Sequence, residues 1–307
     1  MTGPTVINSH QADARGPERT RLWAWSFVAV AVLTGWFYLL LVIADMLPIM
    51  DMGELGPGMG WLNNFNQFNG LSAEMRLALS IICSPNGLTS FGMPDGNGWG
   101  VRDLFYVFLM WEMMVFAMML PTAIPMLIQH ARHGSNQQTA TVGSAIFGAS
   151  LGYLCVWTVF SLCATAIQWG LTELSILSNM MAPVAQSLTI SILVAVALYQ
   201  LTPMKRACLN RCRNPRFLNA DSRPQKKLSN FSFGIEEGIS CLGCCWALMI
   251  AMFAVGIMNI FWIILLAAFM VVEKTSEGTW ASRFVAIAML GFAVILFLQN
   301  MRGVFLS

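Results

Sequence analysis

The sequence predicts an all-α membrane protein, a bundle of about six transmembrane helices with both termini on the inner side. The 307-residue chain is 57% hydrophobic and 10% charged, with a mean hydropathy of +0.64. A chain of this composition cannot cover itself with a water-soluble surface. It also contains six apolar stretches long enough to cross about 30 Å of hydrocarbon, a distance that takes about 20 helical residues.

These stretches divide the chain into a short tail and one membrane domain. Residues 1–21 are the predicted cytoplasmic tail, and residues 22–307 are the predicted membrane domain. The six spans are predicted at residues 22–44, 104–129, 141–168, 180–201, 241–272 and 280–300. The first stretch is longer than the 7 to 15 apolar residues of a typical signal peptide, so we predict that it is an anchor. The connections include an outer loop at residues 46–102 and a basic inner loop at residues 203–237.

The positions of the basic residues predict the orientation. With the N-terminus inside, most of the 17 Lys and Arg residues fall in inner segments, whereas Lys274 and Arg283 fall outside. The positive-inside rule therefore favours an N-in and C-in arrangement. The dense basic run in the loop 203–237 is typical of a segment that lies against anionic lipid headgroups. Because this run borders a membrane span and has no recognisable nucleic-acid-binding fold around it, we expect no nucleic-acid partner.

The fifth span carries a stripe of sulfur side chains. Cys241, Cys245, Met249 and Met252 are spaced i, i+4, i+8 and i+11, and therefore line one face of a helix. Cys244 lies directly beside this stripe. Soft sulfur ligands on one face indicate a site for a thiophilic metal. The alternative is that these cysteines are small buried hydrophobic residues, as free cysteines often are.

A second pair of cysteines follows the fourth span. Cys208 and Cys212 are four residues apart, so they share a face if the helix continues past Pro203. Consecutive spans are antiparallel, which allows this pair to meet the cysteines of the fifth span. The predicted inner edge is in the reducing cytosol, which argues against structural disulfides. A site with two to four sulfur ligands is therefore predicted there.

The second span carries a further candidate cluster. Met110, Met114 and Met118 are spaced i, i+4 and i+8 and form a ladder on one face. Glu112 lies in the same span, and a carboxylate at membrane depth usually marks an ion or proton site. The alternative for the methionines is ordinary packing, because Met fills irregular gaps.

The ligand types favour cuprous copper over zinc. The chain has 22 Met and only three His residues. Thiolates and thioethers select Cu(I), whereas zinc sites draw on four Cys or on mixed Cys and His ligands. We therefore predict that the bound metal is copper, as Cu(I).

Three sequence blocks also resemble a known family. They are residues 111–125 (WEMMVFAMMLPTAIP), 199–215 (YQLTPMKRACLNRCRNP) and 238–259 (GISCLGCCWALMIAMFAVGIMN). These blocks are similar to the signature blocks of the predicted metal-binding integral membrane proteins, a family that includes the membrane copper chaperone encoded with bacterial tyrosinase. The resemblance implies copper handling in a bacterial cytoplasmic membrane, with the Met and Cys positions above as ligands.

The resulting hypothesis is a membrane Cu(I)-binding chaperone or transporter-like protein, surrounded by lipid, that supplies a copper-enzyme client. One alternative is an accessory subunit of a membrane-bound oxidase or monooxygenase complex, and another is a thiol redox carrier that uses Cys241 and Cys244. We expect no enzymatic activity in this chain. Oxygen-activating copper sites generally use imidazole, and His130 at an inner edge is the only His that borders a predicted span.

Overall fold

The computed structural model describes residues 15–47, 52–65, 75, 99–135, 142–176, 186–214 and 230–306, and every regular element in these ranges is helical. In chain order the elements are α1 (Arg15–Met46), two 3₁₀ helices (Met52–Leu55 and Gly60–Phe65), α2 (Val101–Met114), a π-helical turn (Val115–Met119), α3 (Leu120–Ser135), α4 (Val142–Glu173), α5 (Gln186–Leu201), α6 (Pro203–Arg213), α7 (Asn230–Val255), α8 (Ile260–Thr275) and α9 (Trp280–Leu306). Residues 1–14 of the predicted tail, most of the predicted outer loop 46–102 and residues 215–229 of the predicted inner loop lie outside the described ranges.

The helices have the lengths and apolar surfaces that a membrane requires. Five segments are long and apolar enough to cross one, and they are Leu22–Met46, Val101–Ala131, Val142–Glu173, Asn230–Val255 and Trp280–Met301. The pair α5 and α6 is a sixth candidate, with a bend of 62° between its two helices. Large apolar side chains such as Phe37 and Ile287 point away from the bundle and are 63% and 70% exposed. The predicted all-α bundle of about six spans is confirmed.

Helices α4 and α7 form the centre of this bundle, and their backbones are in close contact. A Cβ atom on Gly234 of α7 would lie 2.1 Å from the backbone oxygen of Ala149. A Cβ atom on Gly152 of α4 would lie equally close to the backbone oxygen of Phe231. Small residues at such crossings allow two membrane helices to approach closely. The two glycines therefore set the spacing between the helices that carry much of the site described below.

This close contact predicts a position-specific effect of one methyl group. Gly234→Ala is expected to destabilise the protein by about 1–3 kcal/mol, because the added Cβ has to push two backbones apart. Gly170→Ala on α4 is the matched control, since a Cβ there meets no atom within 4 Å. Thermal unfolding of the two variants in detergent measures the difference. Equal unfolding midpoints for both would contradict the packing described here.

A capped bend ends the predicted fourth span. The Thr202 hydroxyl accepts a hydrogen bond from the backbone N–H three residues later at 3.3 Å, and Pro203 occupies the first turn of α6. Proline suits that position because its missing N–H would have no helical partner there. The helix therefore does not continue straight past Pro203, and α6 departs at 62°. Cys208 and Cys212 still share a face, because they lie four residues apart within α6.

The predicted helix 241–272 is wrong, because the chain folds back on itself within that range. Gly256 has a φ of +99°, a left-handed conformation that glycine adopts readily, and α7 ends just before it. The Asn259 side chain then caps α8 by accepting a hydrogen bond from the N–H of Trp262 at 3.3 Å. The two residues between Gly256 and Asn259 are apolar and buried. The turn therefore interrupts the apolar stretch without any polar residue except the cap.

The return of α8 brings its C-terminal end to the middle of α7. The Lys274 ammonium lies 2.8 Å from the sulfur of Cys241. Arg213 at the end of α6 also donates to the backbone oxygen of Gly278 at 2.7 Å. The end of α8 and the basic helix α6 therefore lie at the same end of the bundle. Placing Lys274 on the opposite side from the loop 203–237 was wrong, because the hairpin was not foreseen.

The hairpin also bears on the position of the C-terminus. In the N-terminal half of α1, the ring of Phe27 packs edge-to-face on Phe147 of α4 at a centroid distance of 5.2 Å. In the C-terminal half of α9, the backbone oxygen of Leu296 accepts a hydrogen bond from Gln186 at 3.0 Å. The starts of α4 and α5 lie at opposite ends of the bundle, since α4 crosses it. The predicted N-in and C-in orientation stays a prediction, whereas the hairpin leads to a competing expectation for the C-terminus.

With the N-terminus inside, we expect a reporter fused to the C-terminus to be found on the outer side. The reason is that the hairpin adds one change of chain direction, which also moves Lys274 and Arg283 to the basic side. Paired alkaline phosphatase and green fluorescent protein fusions measure the location, with an insertion between residues 215 and 229, in the predicted inner segment, as the inside control. A fluorescent, phosphatase-inactive C-terminal fusion would instead support the C-in arrangement.

Candidate metal centre

Three cysteine sulfurs from two helices meet in one cluster. The Sγ atoms of Cys212, Cys241 and Cys244 all lie within 4.8 Å of one another. Cys241 and Cys244 lie one turn apart near the middle of α7 and are fully buried, whereas Cys212 on α6 is half-buried. We call these three residues the cysteine trio. Of the pair Cys208 and Cys212, Cys212 therefore meets the cysteines of α7, as predicted. It does so from α6, a short helix that leaves α5 at an angle of 62°.

The two other cysteines of these helices differ from the trio in position. Cys245 is fully buried, with its sulfur 3.3 Å from that of Cys244, so it lies next to the trio. Cys208 instead packs against Gly243, where a Cβ atom would lie 2.7 Å from the Cys208 sulfur. Cys245 is thus adjacent to the trio, whereas Cys208 packs on the backbone of α7.

Polar groups from three other elements surround the Cys241 sulfur. The Lys274 ammonium at 2.8 Å also donates to the Thr122 hydroxyl at 2.6 Å. The Tyr153 hydroxyl lies 2.9 Å from the same sulfur and donates to the backbone oxygen of Met119 at 3.0 Å. The ammonium is a suitable neighbour for a sulfur that binds metal as a thiolate, since it offsets the negative charge. The Tyr153 proton is directed to Met119, so the Tyr153 oxygen accepts from the Cys241 thiol in this arrangement. Cys241 is the most extensively contacted sulfur of the trio.

Neither Lys274, Tyr153 nor Thr122 was predicted from the sequence. Lys274 was assigned to an outer loop, because the apolar stretch before it looked like one continuous helix. The pattern of Gly256 followed by Asn259 is a helix stop and a helix cap, and it could have revealed the return of α8. No comparable pattern marks Tyr153 or Thr122, whose roles depend on the packing of α3 and α4 against α7.

A buried ion pair holds α6 against α8 and α9. The Lys205 ammonium lies 2.8 Å from a carboxylate oxygen of Glu273, and both side chains are almost completely inaccessible. Ser282 of α9 donates to the same carboxylate, and Gln200 accepts from the Lys205 ammonium. Removing one partner of such a pair is costly, because it leaves an uncompensated buried charge. The pair therefore fixes α6, which carries Cys212, relative to α8, which carries Lys274.

The methionines of α7 lie beyond the cysteines along the same helix. Met249 and Met252 are fully buried. At 1.5 Å per residue they are displaced from Cys241 by about 12 and 17 Å along the helix axis. This separation is too large for either sulfur to share one ion with the whole trio. Their role as copper ligands stays a prediction of a second, deeper position.

The predicted methionine ladder of the second span is buried but not straight. Met110, Met114 and Met118 are fully buried, and Met118 belongs to the π-helical turn. A π-helical turn adds a residue and shifts the register of the side chains that follow, so the ladder is interrupted before Met118. Such turns are frequent at functional sites. The role of these methionines as ligands stays a prediction.

Glu112 lies on a different face of α2 from the methionines. An α-helix turns about 100° per residue, so Glu112 is rotated by roughly 200° from both Met110 and Met114. Glu112 is buried, with 7% of the residue exposed, and its carboxylate lies beside Thr158 and Ser161 of α4. One of its oxygens is buried without a hydrogen-bond partner among the described residues. The structure therefore separates Glu112 from the methionine ladder.

The central part of the chain matches a known protein family. A copper chaperone family, PpoB2, matches residues 108–296. The matched region runs from α2 into α9 and includes the whole trio, Cys245 and Lys274. No curated protein and no solved structure matches the chain. Because the match covers more than half of the sequence, the chain belongs to the PpoB2 copper chaperone family.

Proposed function

We propose that this protein binds Cu(I) through Cys212, Cys241 and Cys244 and delivers it for the maturation of a copper enzyme. The observation that carries the proposal is the trio itself, three sulfurs within 4.8 Å at the junction of α6 and α7. Three thiolates around one ion suit cuprous copper, which accepts low coordination numbers and soft ligands. Family membership supports copper as the cargo.

The arrangement of the sulfurs supports transfer as well as binding. Cys212 lies on a separate short helix, so it can leave the ion without disturbing the pair on α7. Cys245 lies 3.3 Å from Cys244 and offers a replacement thiolate as another ligand departs. Met249 lies one turn further along α7. A cuprous ion can therefore exchange sulfur ligands one at a time and remain bound during each exchange.

The surroundings of the trio support a chaperone better than an oxidase. His130, the candidate imidazole ligand, stacks on Phe233 at 4.1 Å and lies 3.1 Å from the Asn230 side chain. It is eight residues beyond Thr122 along α3, which corresponds to about 12 Å along the helix. A copper centre at the trio would thus have sulfur ligands only, whereas oxygen-activating copper centres rely on imidazole.

Anaerobic copper loading tests the proposal. The protein is purified in mild detergent and titrated with Cu(I) against a chromogenic cuprous chelator, and X-ray absorption reports the ligand type. We expect one tightly bound Cu(I) per chain with sulfur ligands only. A variant with serine at all three trio positions should bind none, whereas serine at Cys155 and Cys163, which are exposed on α4, should leave binding unchanged. Absence of Cu(I) binding by the wild type would overturn the proposal.

The same loading experiment separates the alternatives. A thiol redox carrier would show a reversible Cys241–Cys244 disulfide and no retained copper. An accessory subunit would bind little copper alone and would purify with partner proteins from its native membrane. Transfer to a copper-free client enzyme, followed by the recovery of its activity, tests the chaperone role directly.

A further inference from the structure

A polar cavity of about 560 Å³ opens beside the cysteine trio, between α3, α6 and the link from α8 to α9. We call this cavity the vestibule. Its lining includes Thr122, Gln129, Asn210, Cys212, Lys274 and Glu277. The sequence pattern did not indicate it, because the three segments meet only after α6 bends and α8 returns.

The vestibule reaches the trio at one sulfur. Cys212 lines the cavity and is half-buried, whereas Cys241 and Cys244 are fully buried and do not line it. Lys274 also lines the cavity and contacts Cys241 at 2.8 Å. A molecule in the vestibule therefore meets Cys212 first, and Lys274 separates it from the deeper sulfurs.

The size and charge of the vestibule indicate the kind of molecule that it accepts. Its volume falls within the roughly 300–1,000 Å³ of small-molecule sites and is too small for a folded domain. Two cations, Lys274 and Arg213, line it against one carboxylate, that of Glu277. The Arg213 guanidinium is held in place by the backbone oxygens of Glu273 and Gly278. This lining favours a small anion.

We propose that the vestibule binds a small anionic thiol complex of Cu(I), such as cuprous glutathione, and that copper passes from it to Cys212. The inference rests on the proposed function and adds the form in which copper arrives. The basic helix α6 places the vestibule on the predicted cytosolic side, where such peptide thiols are abundant and reduced. Carboxylates of the peptide would lie near the two cations, with the copper toward the trio.

The transfer is a ligand exchange without redox chemistry. A bond forms between copper and the Cys212 sulfur as the bond between copper and the peptide sulfur breaks. The proton lost from the Cys212 thiol goes to the departing peptide thiolate, and copper remains Cu(I) throughout. Further exchange brings in Cys241 and Cys244 as the remaining bonds between copper and peptide sulfur break. Their thiol protons pass to the departing peptide thiolates and to water in the vestibule, and the Lys274 ammonium stays beside the Cys241 sulfur.

Two donors of opposite charge test this inference. Asn210 lines the vestibule, and its side chain is exposed, so its charge can be changed without altering a buried contact. With cuprous glutathione as the donor, we expect Asn210→Glu to slow copper uptake about 3- to 10-fold and Asn210→Lys to accelerate it. With cationic cuprous acetonitrile the order of the two variants should reverse. Both effects should shrink as salt is added.

The readout for each variant is the ratio of its copper uptake rate from cuprous glutathione to its rate from cuprous acetonitrile. A folding defect would lower both rates together and leave this ratio unchanged. The matched controls are Asn64→Glu and Asn64→Lys, which change the charge of an exposed asparagine in the 3₁₀ helix Gly60–Phe65. These controls should leave the ratio unchanged. If the two Asn210 variants rank in the same order of uptake rate with both donors, or if neither changes the uptake rate, the vestibule inference is overturned and the proposed function stays intact. Uptake from neither donor would overturn both.

Discussion

Replacing Cys241 with serine is expected to weaken Cu(I) binding by about 100-fold or more. Cys241 is the sulfur that contacts both Lys274 and Tyr153, and it belongs to the trio with Cys212 and Cys244. Loss of an outer-shell partner of a metal site typically costs 10- to 100-fold in affinity, so loss of a direct ligand should cost at least as much. Competition with a cuprous chelator of known affinity measures the change.

Cys208→Ser is the matched control for this experiment. Cys208 is one helical turn from Cys212 on the same face of α6, but its sulfur packs against Gly243. We expect it to lower the affinity less than about threefold, while Cys212→Ser should have an intermediate effect because Cys245 can replace the lost sulfur. An equal loss from Cys208→Ser and Cys241→Ser would mean that copper binds elsewhere on α6.

Replacing Lys274 with glutamine, which is neutral and carries no sulfur, is expected to lower the Cu(I) affinity by about 10- to 100-fold, or about 1.4–2.8 kcal/mol. Three thiolates and one cuprous ion carry a net charge of −2 in a site from which water is largely excluded. The Lys274 ammonium, 2.8 Å from the Cys241 sulfur, removes half of that charge. Without it, the buried negative charge loses the cation that contacts the Cys241 sulfur directly. Lys274→Arg keeps the charge and should retain more of the affinity.

A comparison of two metals distinguishes this electrostatic role from a purely structural one. The same three thiolates with Zn(II) carry a net charge of −1, so the loss of Lys274 should weaken zinc binding less than copper binding. A misfolded site would weaken both equally. Parallel titrations of the wild type and Lys274→Gln with each metal provide the measurement, and an equal loss for both metals would contradict the charge argument.

The sequence was sufficient for the fold class, because helical membrane proteins are governed by length and hydrophobicity. Each membrane helix satisfies its own backbone hydrogen bonds, so an apolar stretch of about 20 residues predicts a span without knowledge of its neighbours. The same reasoning failed at residues 241–272. There the turn between α7 and α8 consists of apolar residues, and a stretch of that length was compatible with one tilted helix.

The proximity of the cysteines within each helix was also predictable from the sequence. Cys241 and Cys244 are three positions apart, so a helix brings them to neighbouring positions in any surroundings. Cys208 and Cys212 are four positions apart and share a face of α6 in the same way, so their spacing does not distinguish one from the other. In the structure Cys212 belongs to the trio, whereas Cys208 packs against Gly243. This difference depends on how α6 lies against α7, which the spacing within α6 does not specify.

By itself the sequence determined an all-α membrane bundle, a sulfur-rich site and copper as the favoured metal, because these depend on composition and on spacing within single helices. Only the tertiary structure decided which sulfurs meet, that Lys274 and Tyr153 contact Cys241, and that a polar vestibule opens at Cys212. These contacts join residues far apart in the chain. They follow from the packing of α4 on α7, and from the bend at Thr202 and the turn at Gly256, which direct α6 and α8 toward the middle of α7.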